Sequence, residues 1–166
     1  MTAAITVAVL TVSDRCSRGE AEDTSGPALA ELARSQLMAD VAAAACVPDD
    51  RTQITEQLRA WALDAPRPAL ILTTGGTGLG PRDFTPEATA DVLERRHPAL
   101  QELVRLRCLA TSPRVFLSRG EAGTIGRSMV INLPGSRRGA TECFLALVDI
   151  LPHALDMICG EGHENG

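Results

Sequence analysis

The sequence predicts an α/β fold, a three-layer sandwich in which a mostly parallel central sheet is flanked by helices. Three observations carry this. Short, nearly continuous apolar runs recur along the chain, as expected of strands covered on both faces. Each of the first three is followed by a stretch with helical spacing of apolar residues, and successive βα units imply parallel pairing through right-handed crossovers. Each run also ends in a turn rich in Gly, Pro, Asp or Ser.

The elements follow in order. Ile5 to Val12 reads as the first strand and stops at Ser13-Asp14, after which Arg15 to Ser25 reads as a long loop. Pro27 to Met38 places Ala28, Leu29, Leu32, Ala33 and Leu37 on one helical face. Val41 to Val47 is alanine-rich, but its length and the Pro48-Asp49-Asp50 stop favour a strand. A second helix opens at Asp50 or Arg51, with Asp50 expected as its cap and Ile54, Leu58, Trp61 and Ala62 as its apolar face. Ala69 to Thr73 makes a third strand that runs into a glycine loop, and Thr85 is expected to cap the next helix, with Pro86 in its first turn. Pro98 to Leu106 reads as helix, and Val115 to Ser118 and Ser128 to Leu133 as strands separated by Gly120, Gly123 and Gly126. A helix follows around Ala140 to Ile150, and Pro152 bends or restarts the last one. One domain over residues 1–160 with a frayed tail over 161–166 is the expected organisation.

Composition narrows the function. At 166 residues and 45% hydrophobic content, the chain can bury a sizeable core. A net charge of -5 with 2% aromatic residues argues against nucleic-acid binding, which calls for a basic face and stacking rings. All sixteen basic residues are arginine, so Schiff-base and P-loop lysine chemistry are excluded. Five cysteines without a C-x-x-C pair suggest neither a disulfide framework nor a zinc ribbon, and a reduced cytoplasm is the expected compartment. No apolar stretch approaches the roughly twenty residues of a membrane span. The N-terminus shows no signal-peptide pattern, so secretion is not expected.

The segment Leu72 to Glu87 carries most of the chemistry. An apolar run ends in Gly75, Gly76, Gly78 and Gly80, interleaved with Thr74 and Thr77 and followed by Asp83 and a Thr-Pro helix start. Glycines let backbone N–H groups approach phosphate oxygens, threonines add hydroxyls, and a carboxylate can hold a cation beside the anion. The loop is neither a P-loop nor a dinucleotide fingerprint, because it lacks Gly-Lys-Ser/Thr and the spacing of G-x-G-x-x-G. In an open α/β sheet, ligands bind beyond the carboxyl ends of the strands. Ser13 and Asp14, Asp49, Gly75 to Asp83, and Asn132 to Ser136 would converge there. Ser13 and Asp14 serve equally well as a turn stop or as ligand contacts. Asp49 and Asp83, on different strands, suit a hard cation such as magnesium, whereas His97, His153 and His163 have no metal-ligand spacing. Arg15, Arg18, Arg82, Arg137 and Arg138 lie in or beside these loops and can neutralise phosphates. Cys16 reads as a bystander thiol and Trp61 as core.

Taken in order, Leu10 to Asp14, Val47-Pro48-Asp49, Thr73 to Gly78, Pro81 to Thr89 and Ile131 to Ser136 resemble the molybdopterin adenylyltransferases of molybdenum cofactor synthesis. That family includes MogA, MoaB and the G domain of gephyrin. Ala21-Glu22-Asp23 and the basic pair Arg137-Arg138 followed by Glu142-Cys143-Phe144 sit closer to the gephyrin branch, with arginines where that branch carries lysines. The resemblance implies the MoaB/Mog fold, commonly as a homotrimer, and transfer of AMP from ATP with Mg2+ to the terminal phosphate of molybdopterin, releasing pyrophosphate. It implies Asp49 and Asp83 as the catalytic carboxylates and as magnesium ligands. Ser13, Asp14, Thr74, Gly75, Gly76, Thr77, Gly78, Asn132, Pro134, Gly135 and Ser136 become substrate and nucleotide contacts. It also implies handover to a separate molybdate-inserting protein. The alternative is a non-catalytic trimeric molybdopterin-binding or scaffold module.

Overall fold

The computed structural model describes residues 4–160, so the expected tail at 161–166 lies outside the described residues. Among the described residues six strands form one sheet in the order β2-β1-β3-β6-β5-β4. They are β1 (Thr6–Val12), β2 (Asp40–Val47), β3 (Leu70–Thr74), β4 (Arg95–Arg96), β5 (Ala122–Ile125) and β6 (Ser128–Leu133). The β1–β2, β1–β3 and β3–β6 pairs are parallel, and the β5–β6 and β4–β5 pairs are antiparallel. The expected mostly parallel sandwich is what forms.

Strand periodicity explains the continuous apolar runs. Val7 and Val9, Leu70 and Leu72, and Met129, Ile131 and Leu133 project into one core. Ala8, Leu10 and Val12, Ile71 and Val130 project into the other. The first core is closed by α2 (Ser25–Leu37), α5 (Pro98–Cys108), α6 (Arg137–Leu145) and α7 (Leu151–Cys159), with Phe144 fully buried at its centre. The second is closed by α3 (Arg51–Leu63) and α4 (Thr85–Ala90) through Ile54, Leu58, Ala62 and Ala88. β2 is an edge strand whose residues alternate between exposed and half-buried, so its small alanines cover little of either core. Among the described residues no helix is long and apolar enough to cross a membrane.

Four expectations need correction. The loop after β1 contains a one-turn helix, α1 (Asp14–Ser17), because Ser13 Oγ accepts from the Cys16 N–H and so caps it. Residues 115–118 are not a strand: Pro113 starts a 3-10 helix over Pro113–Leu117, and the strand before β6 is instead Ala122–Ile125, whose glycine hid it. Trp61 is half-buried at the rim of the second core rather than inside it. Thr85 is the first residue of α4 rather than its cap; its hydroxyl donates to Gly75 O at 2.8 Å. Asp50 does cap α3, accepting from the Gln53 N–H at 2.9 Å, and Pro152 does open α7.

Candidate active site

Parallel register brings the polar turns into one row. Val12 pairs with Val47, Thr11 with Thr74, and Thr74 with Leu133, so Ser13, Pro48, Gly75 and Pro134 leave the sheet side by side. Backbone bonds from Ser13 N to Val47 O (2.9 Å) and from Gly75 N to Leu133 O (3.2 Å) extend the ladder one step beyond the strands. The chain reverses its direction of travel across the sheet between β1 and β3, the place where an open α/β sheet leaves a crevice.

Only glycine fits the start of the loop. Gly75 has φ +104°, and a Cβ there would lie 2.1 Å from Val12 O. Gly76 has φ +64°, and a Cβ would meet Thr85 Oγ1 at 2.4 Å and Asp49 Oδ1 at 3.0 Å. The loop is thereby drawn against the carboxylate that follows β2. Thr85 holds it from the other side, its N–H donating to Gly76 O at 3.0 Å. Asp83 folds back to accept from the Gly80 N–H at 2.7 Å.

The acidic residues are interlocked. The Asp14 N–H donates to Asp49 Oδ2 at 2.9 Å, and the Asp49 N–H donates to Asp14 Oδ1 at 3.1 Å. Arg82 reaches across both, bidentate on Asp14 at 2.6 and 2.9 Å and donating to Asp49 O at 3.2 Å. That guanidinium holds the Asp14 carboxyl below the ordinary carboxylate range. Asp49 moves the opposite way. Burial raises it, the charges of Asp14 and Asp83 add to the rise, and the Asp14 N–H and Arg82 oppose it.

Two cavities open over this row. The larger, of about 640 Å³, runs from Thr77 and Gly78 past Ser136 and Arg138 to the 3-10 helix. The smaller, of about 260 Å³, holds Ser13, Cys16, Asp49, Thr74 and Gly75 and is closed by the turn before α2. Gly76, Asp83 and Gly135 border both, so the cavities meet at these three residues. Every expected catalytic or contact residue borders one of the cavities except Asp14 and Asn132.

Asn132 is buried and its amide is fully spent. Nδ2 donates to Thr73 Oγ1 and Thr89 Oγ1, both at 2.9 Å, and Oδ1 accepts from the Glu121 N–H at 3.0 Å. These bonds tie β6 to Thr73 of β3, to Thr89 of α4 and to the chain leading into β5. The Thr74 hydroxyl donates to Pro134 O at 2.7 Å, Ser136 Oγ caps α6 through the Gly139 N–H at 3.1 Å, and Ser118 Oγ donates to Thr77 Oγ1 at 3.1 Å. These hydroxyls brace the loops, and those of Ser136 and Thr77, which accept in these bonds, keep an O–H to donate.

Sequence reasoning missed the far wall of the larger cavity, Thr111 to Ser118, and it missed Arg119. No local motif marks either. The one usable signal is the Ser-Pro pair at Ser112-Pro113, which marks a turn or a helix start rather than the approach to a strand.

A family model described as a probable molybdopterin binding domain matches residues 8–153. The chain belongs to that family. It is 36% identical over 156 residues to a molybdopterin adenylyltransferase from Helicobacter pylori (strain J99), covering 94% of this chain and 89% of that one. It is 41% identical over 159 residues to the molybdenum cofactor synthesis protein cinnamon of Drosophila melanogaster, covering 93% of this chain but only 26% of that protein. Among solved structures, the molybdopterin biosynthesis enzyme MoaB of Thermus thermophilus superposes with a TM-score of 0.87 at 48% identity, covering 94% and 97% of the two chains. The names of these relatives place the family in molybdenum cofactor biosynthesis.

Proposed function

We propose that this chain transfers AMP from ATP to the terminal phosphate of molybdopterin. The observation that carries the reading is the meeting of two cavities at Gly76, Asp83 and Gly135, with Asp49 at the same edge. A two-substrate transfer needs its reacting atoms held within reach of each other, and two cavities that share residues offer adjoining room for the two substrates. One reactant occupies each, and the shared wall sets the in-line approach.

A phosphate oxygen of molybdopterin attacks the α-phosphorus, a P–O bond forms, and the bond to the β-phosphate oxygen breaks. Pyrophosphate leaves with the bonding pair. The attacking phosphate is already anionic at neutral pH, so the chain need not supply a strong base. Its residues contribute position and charge balance: amides of the glycine loop and of the Pro134-Gly135-Ser136 turn hold phosphate oxygens, and Arg82 and Arg138 lie at the margins.

The donor set fits magnesium. Asp49 and Asp83 are hard oxygen donors close enough for the charge of Asp83 to raise Asp49, and the described residues hold no cluster of three ligating side chains. Magnesium is commonly held by one or two carboxylates and completed by substrate phosphates and water. When bound, it would neutralise charge building up on the phosphates.

The test is direct. Incubation with molybdopterin and Mg-ATP is expected to give adenylylated molybdopterin and pyrophosphate in equal amounts. A protein that binds molybdopterin yet releases no pyrophosphate at any magnesium level fits the carrier or scaffold alternative and sinks this reading.

A further inference from the structure

A loop made largely of glycine has few side chains with which to fix itself, so its backbone carbonyls must find partners elsewhere. Three of those in or beside the turn that carries Asp83 are held by one distant residue. The Arg119 N–H donates to Thr77 O at 2.8 Å, Arg119 Nε donates to Gly78 O at 2.8 Å, and Nη2 donates to Asp83 O at 2.8 Å. Nη1 pairs with Glu87 Oε1 on α4, and this guanidinium pulls the Glu87 carboxyl below its ordinary range. Glu87 Oε2 is buried with no hydrogen-bonding partner among the described residues.

Arg119 directly follows the opposite wall, which ends at Ser118. It lies just beyond the 3-10 helix, and its neighbour Ser118 is gripped by Arg105 of α5, whose Nη2 donates to Ser118 O at 3.0 Å. Ser118 Oγ reaches Thr77 Oγ1, so α5, the 3-10 wall, Arg119 and the glycine loop form one connected frame. A planar fork with donors in several directions suits this; the single ammonium of lysine cannot span Gly78, Asp83 and Glu87 together.

We propose that Arg119 is the positioning residue for Asp83. It sets the height of the loop that presents this carboxylate and ties that height to the far wall of the larger cavity. Its part in catalysis rests on the adenylyl-transfer reading; its grip on the loop does not.

The experiment compares the wild type with Arg119→Lys, Arg119→Met and the double variant Arg119→Met/Glu87→Gln, which avoids a stranded carboxylate. Hydrogen exchange of the 76–84 segment is expected to speed up about tenfold or more in each variant, with β3, β6 and the Trp61 fluorescence melt little changed. In turnover with molybdopterin and Mg-ATP, kcat is expected to fall about a hundredfold, while KM for molybdopterin stays within about threefold, as a misplaced reacting group requires. A folded Arg119→Lys protein with wild-type loop exchange and wild-type kcat overturns the proposal. If Arg119→Met fails to fold, Arg119→Lys, which keeps a cation opposite Glu87, decides. If the wild type makes no adenylylated product, the adenylyl-transfer reading fails and the exchange measurement still judges Arg119.

Discussion

Two segments face each other across the larger cavity and are held in opposite ways. The start of the glycine loop, Gly75 and Gly76, is fixed mainly by backbone: two positive-φ glycines, a ladder bond to Leu133, and bonds to Thr85 close by in sequence, whereas its Asp83 end leans on Arg119. The wall from Thr111 to Ser118 has a single 3-10 turn and leaves Phe116 and Leu117 about half exposed, and Arg105 of α5 reaches in to hold it. A motif that shapes its own backbone can be read from its own residues. One that borrows its rigidity from distant side chains cannot.

The largest expected effect breaks the chemistry while sparing both walls. Asp83→Asn keeps an oxygen for the Gly80 N–H and removes the charge where the cavities meet. Turnover is expected to fall about a hundredfold to a thousandfold, the scale of removing one preorganised electrostatic group. Its thermal melt is expected to match the wild type, since the residue lies on a loop. Near-normal kcat in a steady-state pyrophosphate assay would remove Asp83 from the reaction.

A second substitution separates the site from its support. Asn132→Ala takes the partner from the part-buried Glu121 N–H and from the buried Thr73 and Thr89 hydroxyls, at a cost of about 3 kcal/mol in folding stability. Chemical denaturation followed by Trp61 fluorescence measures it. Molybdopterin affinity of the folded fraction is expected to stay within a few-fold; a large loss of affinity at unchanged stability would make Asn132 a ligand contact after all.

That contrast marks how far the sequence was legible. β1, β3 and β6 announced themselves because strands covered on both faces must be apolar throughout, and their polar ends then located the site. The placing of Asp49, Gly75, Gly76 and Asp83 at one sheet edge was legible because each lies in a turn that follows a parallel strand. The bracing part of Asn132 was not legible, since only the register with Thr73 shows that its side chain points into the fold. β5 was lost to Gly123 within it, where packing overrides propensity, and Arg119 was one arginine among sixteen until the fold set it against Gly78, Asp83 and Glu87.

The smallest expected effect tests the electrostatics of the acidic row. Burial raises the Asp49 carboxyl and the nearby Arg82 cation restrains that rise, while the same cation lowers Asp14. Arg82→Met removes the restraint, so the Asp49 pKa is expected to climb further and that of Asp14 to return toward the ordinary carboxylate value. If ionised Asp49 is needed for turnover, activity is lost as pH falls through its folded pKa, and the acidic limb of the variant's profile shifts to higher pH. Stability moves with Asp14. A carboxyl lowered in the folded state contributes stability above its unfolded pKa and loses it as pH falls through the folded one. The variant is therefore slightly less stable than the wild type at neutral pH, and the difference vanishes in acid. Both groups are partly open to solvent, so salt weakens the effect. Carboxyl-carbon NMR titration of Asp49 and Asp14 in the two proteins gives the sign directly, and an Asp49 pKa that falls on loss of Arg82 would contradict this account of the row.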